Sequence, residues 1–387
     1  MFTLALILAG LSLVVWIVLT FFRGAFWQLR RFDDDGAVHP PLTKWPRIVA
    51  VLPARNEAET IAETVKSLAA QDYPAEFRII VVDDHSEDAT ARLAQYAARA
   101  AGAADRVVIV PAAPLRPGWT GKLWALQQGV EKAEASAPDY FWFTDADITH
   151  APDTLRRLVS RAESGQFDLV SLMVLLRAKA FPERLLIPPF LYFFLKLYPP
   201  WWIADRKAGT AGAAGGCILL RRIELERIGG ISTIRREVID DCALARAVKR
   251  GGGAIWMGLT RKSVSLRAYN SFGEIRDLIA RTAFTQLNYS VVLLLGTLAG
   301  MALTYLVPVA LTFHPQSLVW RIGLASWALM TLTYLPTVRF YGLSPLWAPL
   351  LPLAAAFYSY ATFLSAVRYW LGRGGQWKGR AQAPAKP

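Results

Sequence analysis

The stretch YFWFTDADITH, residues 140–150, decides the fold. Residues 140–144 are aromatic, apolar or β-branched and predict a buried strand. That strand runs out into two carboxylates, Asp145 and Asp147, on either side of Ala146. Residues two apart in an extended chain point to the same side, so the pair can converge on one object. The carboxyl end of a strand is where open α/β sheets bind ligands. Oxygen ligands of this kind suit Mg2+ or Mn2+, which usually shares them with substrate phosphates. A second reading stays open, in which the segment caps the next helix with Asp147 or Thr149 as N-cap.

Upstream, RIVAVLPA (47–54) predicts another buried strand. A helix follows over about residues 59–71, with Ile61, Val65 and Leu68 at helical spacing. FRIIVVDD (77–84) is a second strand ending in Asp83 and Asp84, and Ser86 and Asp88 are candidate caps for a helix reaching about Ala101. RVVIVP (106–111) is a third strand. Strands and helices alternating in this way predict a Rossmann-like, mostly parallel sheet. Downstream, a helix is expected from Pro152 to about Ser164, then a buried strand over residues 168–176.

The whole chain is greasier than a soluble domain. It has 387 residues, 54% of them hydrophobic, and a positive mean hydropathy of +0.29, so membrane segments are expected beside the α/β domain. The formal net charge of +13 fits anionic lipid or a phosphate-bearing substrate. No nucleic-acid-binding signature accompanies it, so no nucleic-acid partner is expected. Two cysteines, Cys217 and Cys242, form no disulfide framework.

Residues 1–22 read as a transmembrane anchor, because the basic start and small-residue cleavage site of a signal peptide are missing. Arg23, Arg30 and Arg31 follow it and favour a cytoplasmic location for what comes next. Residues 23–46 are a polar, proline-bearing linker, and 47–287 the α/β domain. Within that domain, residues 184–202 are apolar and aromatic but carry Pro188, Pro189, Pro199 and Pro200. They read as an interfacial segment lying on the membrane, the alternative being a covered core helix. Residues 288–371 hold three spans, near 289–313, 318–338 and 346–370. Residues 372–387 are a basic tail. One anchor plus three spans puts that tail outside, whereas Arg368, Arg373, Lys378, Arg380 and Lys386 favour the cytoplasm. The charge rule and the span count therefore conflict.

Two further stretches carry candidate chemistry. GTAGAAGGC (209–217) is built of tiny residues that let a backbone approach a ligand or simply turn tightly. IDDCALARAVKRGG (239–252) begins a helix with Asp240 and Asp241, placed either to favour the helix dipole or to do chemistry.

VLPARNEAETIAETVKSLAAQDYP, followed by IIVVDDHSEDAT and then TDAD, resembles the family 2 glycosyltransferases with the GT-A fold. RPGWTGKLWALQQG, AGAAGGCILLRR, IDDCALA and GGQWKGR further resemble the hopene-associated glycosyltransferases, membrane-bound enzymes of bacterial hopanoid gene clusters. The resemblance implies an α/β GT-A domain plus transmembrane helices in a bacterial cytoplasmic membrane. It implies a nucleotide-sugar donor, a lipid acceptor of hopanoid or polyprenyl type, and Mg2+ or Mn2+ held by Asp145 and Asp147. Pro53, Arg55, Glu57 and Asp84 would line the nucleotide pocket. Lys122 would lie near the donor, where a cation can meet a diphosphate. Gly215 and Gly216 would border the acceptor, and Asp241 would be the catalytic base with Asp240 beside it.

One motif departs from the processive members of that family, which carry QxxRW. Here LIARTAFTQL (278–287) keeps Arg281, expected to clamp the leaving diphosphate, but has Thr282 in place of the tryptophan. This favours transfer of a single sugar. A processive polysaccharide synthase and a non-catalytic nucleotide-binding scaffold are the alternatives.

Overall fold

The computed structural model describes residues 2–29, 42–373, 376–377 and 380–381. Most of the 23–46 linker, with Arg30 and Arg31, and Lys378 and Lys386 of the tail lie outside the described residues. The chain divides into two compact units. One holds the described residues from Leu42 to Arg177 together with Trp202–Arg267, 376–377 and 380–381. The other holds the N-terminal helix, Ala178–Trp201 and the described residues from Ala268 to Arg373. Residues 268–287 thus pack with the apolar helices, not with the α/β sheet.

The main sheet of the first unit has, among the described residues, eight strands: β1 (Ile48–Ala54), β2 (Phe77–Asp83), β3 (Val107–Pro111), β4 (Tyr140–Phe143), β5 (Ile148–His150), β6 (Leu169–Leu175), β7 (Ile218–Arg221) and β8 (Ile255–Ser265). Their spatial order is β3-β2-β1-β4-β7-β6-β8-β5. β1 pairs parallel with both β2 and β4, and β2 with β3. β7 runs antiparallel to β4 and β6, and β5 antiparallel to β8. This is a mixed, mostly parallel GT-A sheet. Every residue of β1 and β4 is buried, as expected of strands covered on both faces. The chain moves outward from β1 through β2 to β3 and then returns to β4 on the other side of β1. That reversal opens a crevice at the carboxyl ends of β1 and β4, and Pro53 and Asp145 lie there.

Residues 148–150 form a strand and not a helix start, which removes the capping reading of Asp147 and Thr149. Leu266 N donates to Asp147 O at 2.8 Å, and Thr149 Oγ1 to Val264 O at 3.3 Å. Pairing with residues 263–265, far away in sequence, overrides the local cap signal. Asp88 Oδ1 accepts from Thr90 N at 2.9 Å and Oδ2 from Ala58 N at 3.1 Å. Ser86 Oγ accepts from Asn56 N at 3.0 Å. These two residues therefore tie together the loops that follow β1 and β2.

Among the described residues, the second unit contains four helices long and apolar enough to cross a membrane: Phe2–Phe21, Val291–Thr312, Ser317–Phe340 and Pro345–Trp370. Most of residues 184–202 fall in one long helix. Phe181–Leu197 is one helix with Pro188 and Pro189 inside it, and both prolines are buried with Leu186, Ile187, Leu191, Tyr192 and Phe193. Tyr192 hydroxyl meets Thr333 Oγ1 at 2.9 Å, and Tyr358 hydroxyl donates to Leu186 O at 2.8 Å. Packing on neighbouring helices holds the helix together where proline alone would break it. One face of the helix is thus buried, while Phe181 and Leu197 at its ends stay exposed. Buried Glu183 ties down its start, accepting from the amides of Lys179, Ala180 and Tyr269 at 2.7, 2.8 and 2.8 Å.

Pro308 has a visible consequence. It has no N–H to give Thr304 O, and residues Ala302–Leu306 widen into a π turn. The buried Trp16 indole donates to that same Thr304 O at 2.7 Å. An unpaired carbonyl is costly among apolar helices, and a side chain from the N-terminal helix satisfies it.

Gly129 sets how closely helix Gly121–Glu134 lies on the sheet. A Cβ there would overlap Val51 Cγ1 and stand 3.0 Å from Val82 Cγ2. Gly129→Ala is expected to destabilise the α/β unit by about 1–3 kcal/mol, the usual cost of overpacking. Thermal melting of the purified full chain checks this, and an unchanged melting temperature would show that the helix can move away freely.

Candidate active site

Four elements converge at the crevice. β1 brings Pro53 near its end, β4 leads into Asp145, helix Gly121–Glu134 brings Lys122, and helix Asp240–Arg250 brings Asp240 and Asp241. With Gly215, Phe143, Thr144 and Ile234 they line one pocket. Lys122 Nζ lies 2.9 Å from Asp145 Oδ1 and 3.1 Å from Asp240 Oδ2. Burial alone would lower the Lys122 pKa, but Asp145 and Asp240 outweigh it and hold the ammonium above its ordinary value.

Asp241 is fixed by two amides. Gly215 N donates to Oδ2 at 2.9 Å and Cys242 N to Oδ1 at 2.7 Å. Each carboxylate oxygen keeps a second acceptor site. Burial, helped by the negative Asp240, pushes Asp241 up to about 6, against the pull of Lys122 and the two amides. A carboxylate so placed exchanges a proton near neutral pH, as a general base must.

Asp147 sits in a neighbouring cluster. Arg267 Nε lies 3.2 Å from Asp147 Oδ2, and Arg267 NH2 lies 2.8 Å from Glu57 Oε1. Burial raises the Asp147 pKa, Asp145 and Glu57 raise it further, and Arg267 opposes them. Sequence reading missed Arg267, which lies in an unremarkable loop just past β8.

The remaining expected residues fall in different places. Arg55 is buried and donates to Asp84 O at 2.6 Å and His85 O at 3.0 Å. Asp84 is fully buried, with His85 Nδ1 3.2 Å from its Oδ1, so its carboxylate faces no solvent. Gly216 lies behind the pocket wall. Its carbonyl accepts from Thr144 Oγ1 at 2.9 Å, and a Cβ on it would stand 3.0 Å from Val174 Cγ2. Arg281 ends helix Phe272–Ala280 in the unit of apolar helices.

Two supports were not legible in the sequence. Lys249, on the same helix as Asp241, donates to the carbonyls of Trp202, Ile203 and Thr210 at 3.0, 2.9 and 2.7 Å. It thereby anchors the start of the tiny-residue loop whose Gly215 holds Asp241. The other is His150. Its Nε2 lies 2.9 Å from Thr144 Oγ1 and its Nδ1 2.8 Å from Ser263 Oγ, with the ring against Trp142. The buried ring braces both ends of the Asp145–Asp147 loop. Burial holds its pKa down to about 3.

The switch point of this GT-A sheet thus carries Asp145, with Lys122 and the Asp240–Asp241 pair facing it. A family model described as glycosyl transferase family 2 matches residues 49–239, and that stretch is a family 2 glycosyltransferase domain. The chain is 31% identical over 122 residues to an undecaprenyl-phosphate 4-deoxy-4-formamido-L-arabinose transferase of Pseudomonas fluorescens, covering 31% of this chain and 33% of that protein. It is 32% identical over 117 residues to an N-acetylglucosaminyltransferase of Rhizobium leguminosarum bv. viciae, covering 30% of this chain and 25% of the relative. The chain thus spans a third or less of the length of these curated relatives. A mannosyltransferase of Pyrobaculum calidifontis, solved with GDP-Man and Mn2+, matches 95% of this chain and 99% of its own with a TM-score of 0.58. At 18% identity that likeness shows the fold alone.

His150 generates a pH prediction. The neutral ring is required in the fold, while the unfolded chain protonates it below its ordinary value of 6.5. The unfolded state then binds the extra proton, so His150 makes stability fall as pH drops from about 6.5 toward 3. His150→Gln should remove that part of the slope and cost about 1–3 kcal/mol at neutral pH, as broken buried hydrogen bonds do. Chemical denaturation across pH 4–8 checks both. An unchanged slope would show that carboxylates alone carry the acid sensitivity.

Proposed function

We propose that the chain is a membrane-bound glycosyltransferase that moves one sugar from a nucleotide-sugar donor to a lipid acceptor of hopanoid or polyprenyl type. The observation that carries this reading is the pocket in which Lys122 joins Asp145 to Asp240, with Asp241 alongside. The four long apolar helices support a membrane location. The basic Arg23 after the first of them supports a cytoplasmic α/β unit. Thr282, where processive relatives carry tryptophan, supports a single addition.

The donor diphosphate belongs near Lys122, the one basic side chain among the described residues that line the pocket. Asp145 and Asp147 would hold Mg2+ or Mn2+. Hard oxygen donors suit such a cation. When bound, the cation would offset charge developing on the leaving diphosphate. Arg267 and Glu57 fix the orientation of Asp147.

Asp241 would take the proton of the acceptor as its oxygen attacks the anomeric carbon. One displacement with one base inverts that carbon, since no enzyme nucleophile intervenes. Gly215 lacks a side chain, and a Cβ there would stand 3.4 Å from Lys122 Nζ and 3.5 Å from Asp241 Oδ2. A larger residue would intrude between the lysine and the base.

Asp241→Asn should slow the transfer step about 10²–10⁴-fold while donor affinity stays nearly unchanged. In the wild type, kcat/KM should rise with pH through about 6, where Asp241 ionises, and then level off. Single-turnover rates and a pH profile test this. A near-normal rate with a lowered melting temperature would mean that Asp241 only holds the Gly215 loop.

Asp147→Asn should weaken Mn2+ binding at least tenfold, as read by titration calorimetry or electron paramagnetic resonance, without lowering the melting temperature. Unaltered Mn2+ affinity would remove Asp147 from the metal site.

A further inference from the structure

We propose that the acceptor offers a neutral hydroxyl to Asp241, and that a lipid whose attacking oxygen belongs to a phosphate is not the substrate. This inference rests on the glycosyl-transfer reading and narrows its acceptor class.

The first argument is charge. Among the described residues, the pocket is lined by three carboxylates, Asp145, Asp240 and Asp241, and by one cation, Lys122. That cation is already held between Asp145 at 2.9 Å and Asp240 at 3.1 Å. The guanidinium of Arg267 is engaged with Glu57 and Asp147. Arg235 and Arg236 follow the lining residue Ile234, but both are exposed and neither lines the pocket. An incoming phosphate would therefore meet Asp240 and Asp241 with no uncommitted cation of the lining to receive it. A neutral hydroxyl meets no such repulsion and can donate a hydrogen bond to a carboxylate.

The second argument is chemical need. A lipid phosphate is ionised at neutral pH and attacks without losing a proton, so a base is of no use to it. An alcohol must lose its proton as it attacks. Asp241 is built for that step. Two backbone amides orient it, its neighbour is negative, and each of its oxygens keeps an open acceptor site. In the balanced step, the hydroxyl proton passes to Asp241 and the oxygen lone pair forms the new bond to the anomeric carbon. The bond from that carbon to the donor diphosphate breaks, and its electron pair leaves with the nucleotide.

The third argument concerns the relatives. The match to the family model ends at residue 239, so Asp240 and Asp241 lie just beyond it. The matched portion of an enzyme named for undecaprenyl phosphate covers 31% of this chain. Likeness of that extent leaves the acceptor end free to differ.

The test uses the full chain in lipid nanodiscs with a panel of nucleotide sugars. Two acceptors are compared, undecaprenyl phosphate and a set of uncharged long-chain lipid polyols, and products are read by mass spectrometry. The expected result is transfer to polyols, falling 10²–10⁴-fold in Asp241→Asn, with undecaprenyl phosphate at least 100-fold poorer. Glycosylation of undecaprenyl phosphate at an equal or higher rate, unaffected by Asp241→Asn, would overturn the inference. So would transfer to neither acceptor by a protein that binds the donor. Calorimetric binding of nucleoside diphosphates with Mn2+ is the separate arm. Failure to bind any of them defeats the transferase reading itself, whereas binding with transfer only to the phosphate defeats the acceptor class alone.

Discussion

One ammonium group organises the α/β unit. Lys122 stands between the carboxylate that ends β4 and the first carboxylate of helix Asp240–Arg250, residues more than ninety positions apart in the chain. Without it, Asp145, Asp240 and Asp241 would face one another across a partly buried pocket, and carboxylates so close cannot all stay ionised. The rest of the unit delivers Lys122 to that point. Helix Gly121–Glu134 lies tightly on β1 and β2 because Gly129 has no side chain. Its first turn then reaches the crevice where β1 and β4 diverge.

Beneath the charges lies a layer of polar groups that fix backbone. His150 uses both ring nitrogens on hydroxyls from two different strands, and Thr144 passes the connection on to Gly216 O. Lys249 spends its three hydrogens on three carbonyls. Ser171 Oγ accepts from Ala214 N at 2.8 Å, on the far side of the same loop. Buried polar groups are costly unless satisfied, and here satisfaction also fixes geometry. The loop from 209 to 216 has almost no side chains with which to hold itself. Its shape comes from residues outside it.

The same rule governs the apolar helices. Pro308 leaves Thr304 O without its helical donor, and the Trp16 indole supplies one. Gly323 lets two helices approach until a Cβ would stand 2.9 Å from Pro308 O. In a unit with little water, such irregularities must be answered by neighbouring side chains.

Local pattern by itself determined much of this protein. Continuous apolar runs foretold β1, β2, β4 and β6, because strands buried on both faces need hydrophobic residues at every position. The alternation of strand and helix foretold the parallel sheet, and long uncharged stretches foretold the four apolar helices. The carboxylates Asp145, Asp147, Asp240 and Asp241 were marked by spacing and position, with helix capping still an alternative, and their roles came from the family resemblance. Only the tertiary structure decided what depends on distant partners. β5 forms because residues 263–265 lie beside it, against a local cap signal. Helix Phe181–Leu197 survives two prolines because neighbouring helices enclose it. Arg267, Lys249 and His150 carry no motif, since a lone cation or histidine acquires its role from what folding sets against it. Asp84 looked like a ligand-facing carboxylate at a strand end, yet folding placed it out of solvent. Periodicity records which face of an element is buried, whereas a site depends on distances between elements, and no local pattern encodes those.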